Sequence, residues 1–64
     1  MKLNYTATIY CEEEIIAFKH GDDVEELYLW MLTQANGKPG GLHGQILEVK
    51  TKTVIRQFRK APLD

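Results

Sequence analysis

The sequence lacks three features that mark common classes of small protein: paired cysteines, a long apolar segment and an excess of one charge. A single cysteine among 64 residues excludes a disulfide framework and a thiolate metal cage, and it favours a reducing, cytoplasmic location. The longest apolar run covers only residues 27–32, whereas a membrane-spanning helix needs about 20 apolar residues. The first six residues also lack the apolar stretch of a signal peptide.

The length and composition favour one small folded domain. A hydrophobic content of 44% and a net charge of −1 are typical of globular chains and exclude intrinsic disorder. A chain this short buries only about 60% of the surface that its unfolded form exposes, so its stability is small. We therefore expect one domain over residues 1–61 and a short tail over 62–64.

The near-neutral net charge conceals two halves of opposite sign. Residues 1–32 contain two bases and seven acids, whereas residues 33–64 contain six bases and two acids. The halves could simply attract each other within a small domain. Alternatively, acidic and basic poles steer and orient a protein partner, or a second copy of the chain in a homodimer.

Two strands and a helix are predicted in the first half of the chain. Strict alternation over residues 3–11 predicts a half-buried strand, and the apolar run 15–18 predicts a second one. The acidic triplet between them would be an unusual hairpin turn because it contains neither glycine nor asparagine. A helix is expected over residues 24–35. It would be capped by Asp22 or Asp23, and a left-handed Asn36-Gly37 would end it.

The helical pattern leaves bulky apolar side chains on the polar side of this helix. Spacing of about 100° per residue puts Val24, Leu27, Met31 and their neighbours in one sector, which we expect to be the core face. Trp30 and Leu29 fall outside that sector, where a loop of the chain covers them or a partner binds them. The protein-binding surface predicted on this helix comprises Glu26, Tyr28, Leu29, Trp30 and Thr33.

The second half of the chain predicts a β-hairpin whose register stays open. An even connection places Val54, Arg56 and Phe58 on the Leu47/Val49 face, which we expect to complete the core; an odd connection turns them outward. The pattern therefore leaves open which of Val54, Ile55 and Phe58 is exposed. In the outward case the strand offers cations beside an aromatic ring, which is typical of nucleic-acid binding, although the pI near 6.1 is low for that function. The nucleic-acid-binding residues predicted in this alternative are Lys50, Lys52, Arg56, Phe58, Arg59 and Lys60.

Catalysis, a metal site and a cofactor find no support in the residue pattern. Cys11 could pair with His20 or His43 as a nucleophile and base, but it lies on the core-facing side of its predicted strand. The two histidines and the aspartates near residue 22 have no spacing typical of a metal cage, and the glycine-rich loop 37–44 is not a phosphate-binding loop. We expect a non-enzymatic protein without cofactor, metal or membrane contact.

The predicted fold class is therefore α+β, with the order β-β-α-β-β and the helix on one face of a small antiparallel sheet. This layout resembles that of many small phage or mobile-element proteins, including some inhibitors of bacterial defence, but no motif carries a residue role over. The leading functional hypothesis is a protein-binding adaptor or inhibitor that docks through the helix and its charged poles. The alternative is a nucleic-acid-binding protein that uses the basic C-terminal strand.

Overall fold

Four antiparallel strands and one helix form the part of the chain that the computed structural model describes, residues 4–38 and 40–60. The predicted α+β class and element order are confirmed. Leu3, expected in the core, and the expected tail 62–64 lie outside the described residues. The elements are β1 (Tyr5–Cys11), β2 (Glu14–Gly21), α1 (Val24–Asn36), β3 (Leu42–Glu48) and β4 (Thr53–Lys60).

The sheet has the strand order β2-β1-β3-β4, so the two hairpins lie side by side with β1 and β3 in the centre. The helix packs on one face of this sheet. Its buried side chains Leu27 and Met31 meet Ala7, Ile9 and Ile46 from the two central strands. The other face of the sheet carries no helix. The edge strands of the sheet are β2 and β4.

The acidic triplet does form the β1–β2 turn. Cys11 pairs with Glu14, which leaves only Glu12 and Glu13 in the loop. Glu12 has a φ of 60°, the left-handed conformation that this position normally gives to glycine. The absence of glycine therefore did not prevent a tight turn, and the backbone of Glu12 carries the resulting strain.

The helix is capped at its start as the sequence predicts and ends differently. The Asp23 carboxylate accepts a hydrogen bond from the backbone N–H of Glu26 at 3.3 Å, which selects Asp23 over Asp22 as the cap. The predicted left-handed stop is wrong, because Gly37 has a right-handed φ of −87°. Lys60 at the end of β4 donates instead to the carbonyls of Ala35 and Lys38 at 2.8 and 2.7 Å. A cation from a distant strand thus stabilises the negative end of the helix dipole.

The buried face of the helix is rotated relative to the predicted one. Leu27, Met31 and Ala35 are buried as expected, but Leu32 is 39% exposed. Trp30, predicted on the wet side, is half-buried and packs against the core cluster. The centre of the buried sector is thus shifted by about 30° toward Trp30.

A β-bulge in the second hairpin decides which side chains of β4 face the helix. Leu47 pairs with Val54, but Ile46 pairs with Arg56, so Ile55 is the extra residue at the bulge. The expectation that Leu47 and Val49 complete the core is wrong. Ile46 faces the helix, whereas Leu47 is half-buried on the other face and Val49 is 46% exposed in the turn.

Beyond the bulge, the aromatic ring of Phe58 on β4 points toward the helix and lies over a glycine of β3. Phe58 is the Cα partner of Gly44, and a Cβ atom built on Gly44 would lie 2.3 Å from the Phe58 Cε1 and 3.1 Å from the Met31 sulfur. Packing therefore requires glycine at position 44, because any larger side chain would occupy the space that the phenyl ring fills between β3 and the helix. Tyr28 meets the same ring edge-on at 6.5 Å.

Candidate binding face of the sheet

One face of the sheet carries no helix, and we call it the open face. Strand register aligns its side chains in three rows that each cross all four strands. The first row is Ile15, Tyr10, His43 and Arg59; the second is Phe18, Thr8, Gln45 and Gln57; the third is His20, Thr6, Leu47 and Val54.

The open face carries four rings, two aromatic and two imidazole. Tyr10 and His43 stack with a centroid distance of 4.8 Å and an interplanar angle of 10°. Phe18 meets His20 edge-on at 5.7 Å, and the His20 Nδ1 lies 2.9 Å from the Thr6 hydroxyl. Phe18 is 59% exposed, so its ring area faces solvent rather than a core. The face therefore offers planar surfaces on which other rings can stack.

The charges are unevenly distributed between the open face and the rest of the described chain. None of the twelve open-face positions is a carboxylate, whereas Arg59 lies at one end of the face and Lys50 and Lys52 occupy the exposed β3–β4 turn at the other end. Four exposed acids cluster instead where the helix begins, and three more lie in the β1–β2 turn and at the first residue of β2. The acids at the helix start are Asp22, Asp23, Glu25 and Glu26.

A groove of about 400 Å³ crosses the open face between β3 and β4. His43 and Arg59 line one end of it, and Gln45 and Gln57 line the other. The strand segments at Gly44 and Phe58 also line the groove, and because these residues point toward the helix they contribute backbone. Among the described residues neither glutamine amide is hydrogen-bonded to another group of the chain.

The six residues predicted for nucleic-acid binding do not share one surface. Arg56 faces the helix layer, where it meets Glu25 at 3.2 Å and lies over the Tyr28 ring at 4.8 Å. Phe58 packs over Gly44, and Lys60 is occupied by the helix end. Only Arg59 of the strand residues lies on the open face, with Lys50 and Lys52 at its edge.

The predicted protein-binding residues of the helix are exposed to very different degrees. Leu29 is 62% exposed, and Glu26 and Thr33 are exposed beside it. Tyr28 and Trp30 are half-buried against the core cluster, and the Lys19 ammonium lies 5.9 Å from the centre of the indole. The protein's own chain thus covers much of Trp30.

The residues considered for catalysis or metal binding are scattered. Cys11 is a half-buried free thiol at the end of β1, while His20 and His43 lie in different rows of the open face. Across residues 4–38 and 40–60, no three His, Cys, Asp or Glu side chains come together as metal ligands. In the same segments no helix is long and apolar enough to cross a lipid bilayer.

The sequence contained one signal for the open face. Thr6, Thr8 and Tyr10 alternate with the core residues of β1, so a face carrying a tyrosine was visible from the start. The sequence did not show which residues lie beside them on the other strands. Phe18, His43 and Arg59 join Tyr10 on this face only through pairings between distant segments.

Comparison of the chain with family models, with curated proteins and with solved structures finds no match.

Proposed function

We propose that this protein is a non-enzymatic module that binds single-stranded nucleic acid on the open face. The observation that carries the proposal is the composition of that face, which combines exposed rings, amides and a guanidinium with no carboxylate. Bases stack on aromatic rings in a sequence-tolerant way, and cations along the strand path neutralise phosphates. The single cysteine is a free thiol, which fits a module acting in the cytoplasm.

The lack of carboxylates among the twelve open-face residues supports this function despite the low pI. The acids of a near-neutral molecule repel a polyanion most strongly where they face it, and four of the eight acids among the described residues lie at the helix start, on the opposite layer. Arg59 at one end of the open face and two lysines at the other provide phosphate contacts along its length. The local field, rather than the net charge, then determines association.

Two arginines of the same strand provide a matched test. Arg59→Ala removes a cation from the open face, whereas Arg56→Ala removes one that faces Glu25 and Tyr28. With a labelled oligonucleotide of about 10 nucleotides, we expect Arg59→Ala to weaken binding roughly three- to tenfold and to reduce the salt slope by about 0.7. We expect Arg56→Ala to change neither quantity. The measurement is fluorescence anisotropy at several salt concentrations, with thermal melts confirming that both variants fold.

The proposal is wrong if the unsubstituted protein does not bind single-stranded oligonucleotides at low salt. It is also wrong if both arginine variants lose affinity equally, since that result would place binding outside the open face. A clear preference for duplex over single strands would contradict it as well, because paired bases cannot stack on the exposed rings.

A second candidate function, protein docking through the helix, keeps one specific observation in its favour. Leu29 and Leu32 are 62% and 39% exposed, and they lie one turn apart on the outer side of the helix. The exposed carboxylates of Glu25 and Glu26 lie in the preceding turn. The partner that fits this surface is a protein or peptide with an apolar surface and a basic rim, because such a rim complements the acids.

A further inference from the structure

The groove between β3 and β4 has the size and the lining of a site for one planar ring. Its volume of about 400 Å³ is at the lower end of the range for small-molecule sites, so it accommodates one nucleoside rather than a larger ligand. It is flanked by an imidazole and a guanidinium, both of which stack on planar groups, and by two amides that hydrogen-bond.

The Tyr10–His43 stack indicates how a ring would enter this groove. The centroid distance of 4.8 Å equals the usual spacing of adjacent strands, so the two rings stand upright side by side on β1 and β3. Tyr10 therefore covers one face of the imidazole. The other face points toward β4, where the groove lies.

A base inserted there continues the stack from Tyr10 through His43. Because adjacent strands are only about 4.8 Å apart, the exposed Arg59 side chain has to swing outward to admit the base, and its guanidinium then covers the far side. Gln45 and Gln57, one row along the strands, then meet the edge of that base. A glutamine amide pairs with adenine in a bidentate manner, since it donates to N7 and accepts from the N6 amine.

We propose that this groove selects an adenine base of the bound strand. This proposal rests on the proposed binding of single-stranded nucleic acid. Two observations carry the assignment. The free face of His43 points into the groove, and both glutamine amides that line it have no hydrogen-bond partner among the described residues.

The test compares thymine oligonucleotides that contain a single different base at the centre. We expect a central adenine to bind about tenfold more tightly than a central thymine, cytosine or guanine. A central 2-aminopurine, which keeps the ring but moves the amine from C6 to C2, should lose this advantage. Its fluorescence should still fall on binding, because the ring stacks against His43.

Removal of the amides separates base selection from general binding. The double variant Gln45→Met and Gln57→Met keeps the side-chain length and removes the hydrogen-bonding groups, so we expect the tenfold preference to fall to about onefold. The all-thymine strand is the reference for each variant, because a general loss of binding through the open face lowers both affinities and leaves their ratio unchanged. His43→Leu should weaken adenine and 2-aminopurine oligonucleotides alike, because both bases stack on the imidazole that this variant removes.

Each remaining outcome counts against one specific claim. Equal affinity for all four central bases, or a preference for guanine, overturns the adenine assignment and leaves single-strand binding intact. An adenine preference that survives loss of both amides also overturns the assignment. Failure to bind any of these strands overturns the proposed function, and the adenine assignment with it.

Discussion

At the scale of single residues, this fold depends on a few positions whose backbone or side-chain volume is constrained. Gly44 is one of them, since a Cβ atom there would collide with Phe58. Glu12 is another, because it adopts a φ of 60° in a two-residue turn. A left-handed conformation is roughly 1–2 kcal/mol less favourable for a residue with a Cβ atom.

Replacement of Glu12 by glycine should therefore stabilise the protein. Glu12→Gly relieves the left-handed strain, and we expect the free energy of unfolding to rise by about 0.5–1 kcal/mol, or the Tm by about 4 °C. Glu13→Gly is the matched control, because it removes the same charge from the same turn at a position without positive φ. That control should be destabilised by about 0.5–1 kcal/mol. Calorimetry or thermal denaturation followed by circular dichroism measures both changes, and equal shifts in the two variants would contradict the strain interpretation.

At the scale of secondary-structure elements, local patterns predicted what lies within one segment and failed where segments meet. The alternation of β1, an aspartate cap at residue 22 or 23 and the helix bounds follow from adjacent residues. The structure confirms the alternation over Tyr5–Cys11, selects Asp23 as the cap and confirms the helix bounds within one residue. Adjacent residues do not predict which side chains of β4 point toward the helix, because the bulge at Ile55 reverses the alternation of the side chains beyond it.

The orientation of the helix shows the same limit. The most apolar sector of the helical pattern places Leu32 inside and Trp30 outside, but a large indole buries more apolar area than a leucine when the sheet offers it space. Lys19 on β2 and the core cluster are the packing partners of the indole, and the helix sequence alone does not reveal either of them. Apart from its β1 residues, the open face was equally hidden, since its three rows exist only after four strands pair.

The exposure of the helix side chains leads to opposite predictions for two neighbours. Trp30 packs against the core, so we expect Trp30→Ala to reduce stability by about 2 kcal/mol and the Tm by roughly 10 °C. Leu29 is 62% exposed, and Leu29→Ala should alter stability by less than about 0.5 kcal/mol.

The same two variants test whether the helix docks a protein. If it does, Leu29→Ala should abolish capture of a lysine- and leucine-rich amphipathic peptide, as measured by isothermal titration calorimetry. It should leave binding to single-stranded oligonucleotides unchanged. A Trp30→Ala variant that melts at the normal temperature would refute the packing described for the indole.

At the scale of the whole molecule, the arrangement of charge matters more than its sum. The net charge is −1, yet the open face bears no carboxylate and the helix layer bears four at its beginning. The β1–β2 hairpin is the exception, because the two acids of its turn and Glu14 beside them adjoin the end of the open face where Tyr10 stacks on His43. These acids should oppose the approach of a nucleic-acid strand over a distance of about one Debye length, roughly 10 Å.

Reversal of one turn charge should therefore strengthen oligonucleotide binding more than reversal of one helix charge. We expect Glu13→Lys to tighten binding several-fold at low salt, with the gain disappearing near 1 M salt, where charges are screened within about 3 Å. Glu26→Lys makes the same change in net charge on the helix layer and should have a much smaller effect. Stopped-flow association rates measure the difference directly. Equal gains for both variants would mean that net charge governs binding.

The position of Phe58 against Gly44 has a consequence for how this protein can vary. The phenyl ring packs on the helix side of the sheet, and the groove lies on the other side of the same backbone. Gly44 and Phe58 therefore contribute to both the interior packing and the groove. A larger side chain at either position would disturb both compartments at once. Drift in ligand preference should therefore proceed through the flanking positions 43, 45, 57 and 59, whose side chains project outward, while the pair beneath them stays unchanged.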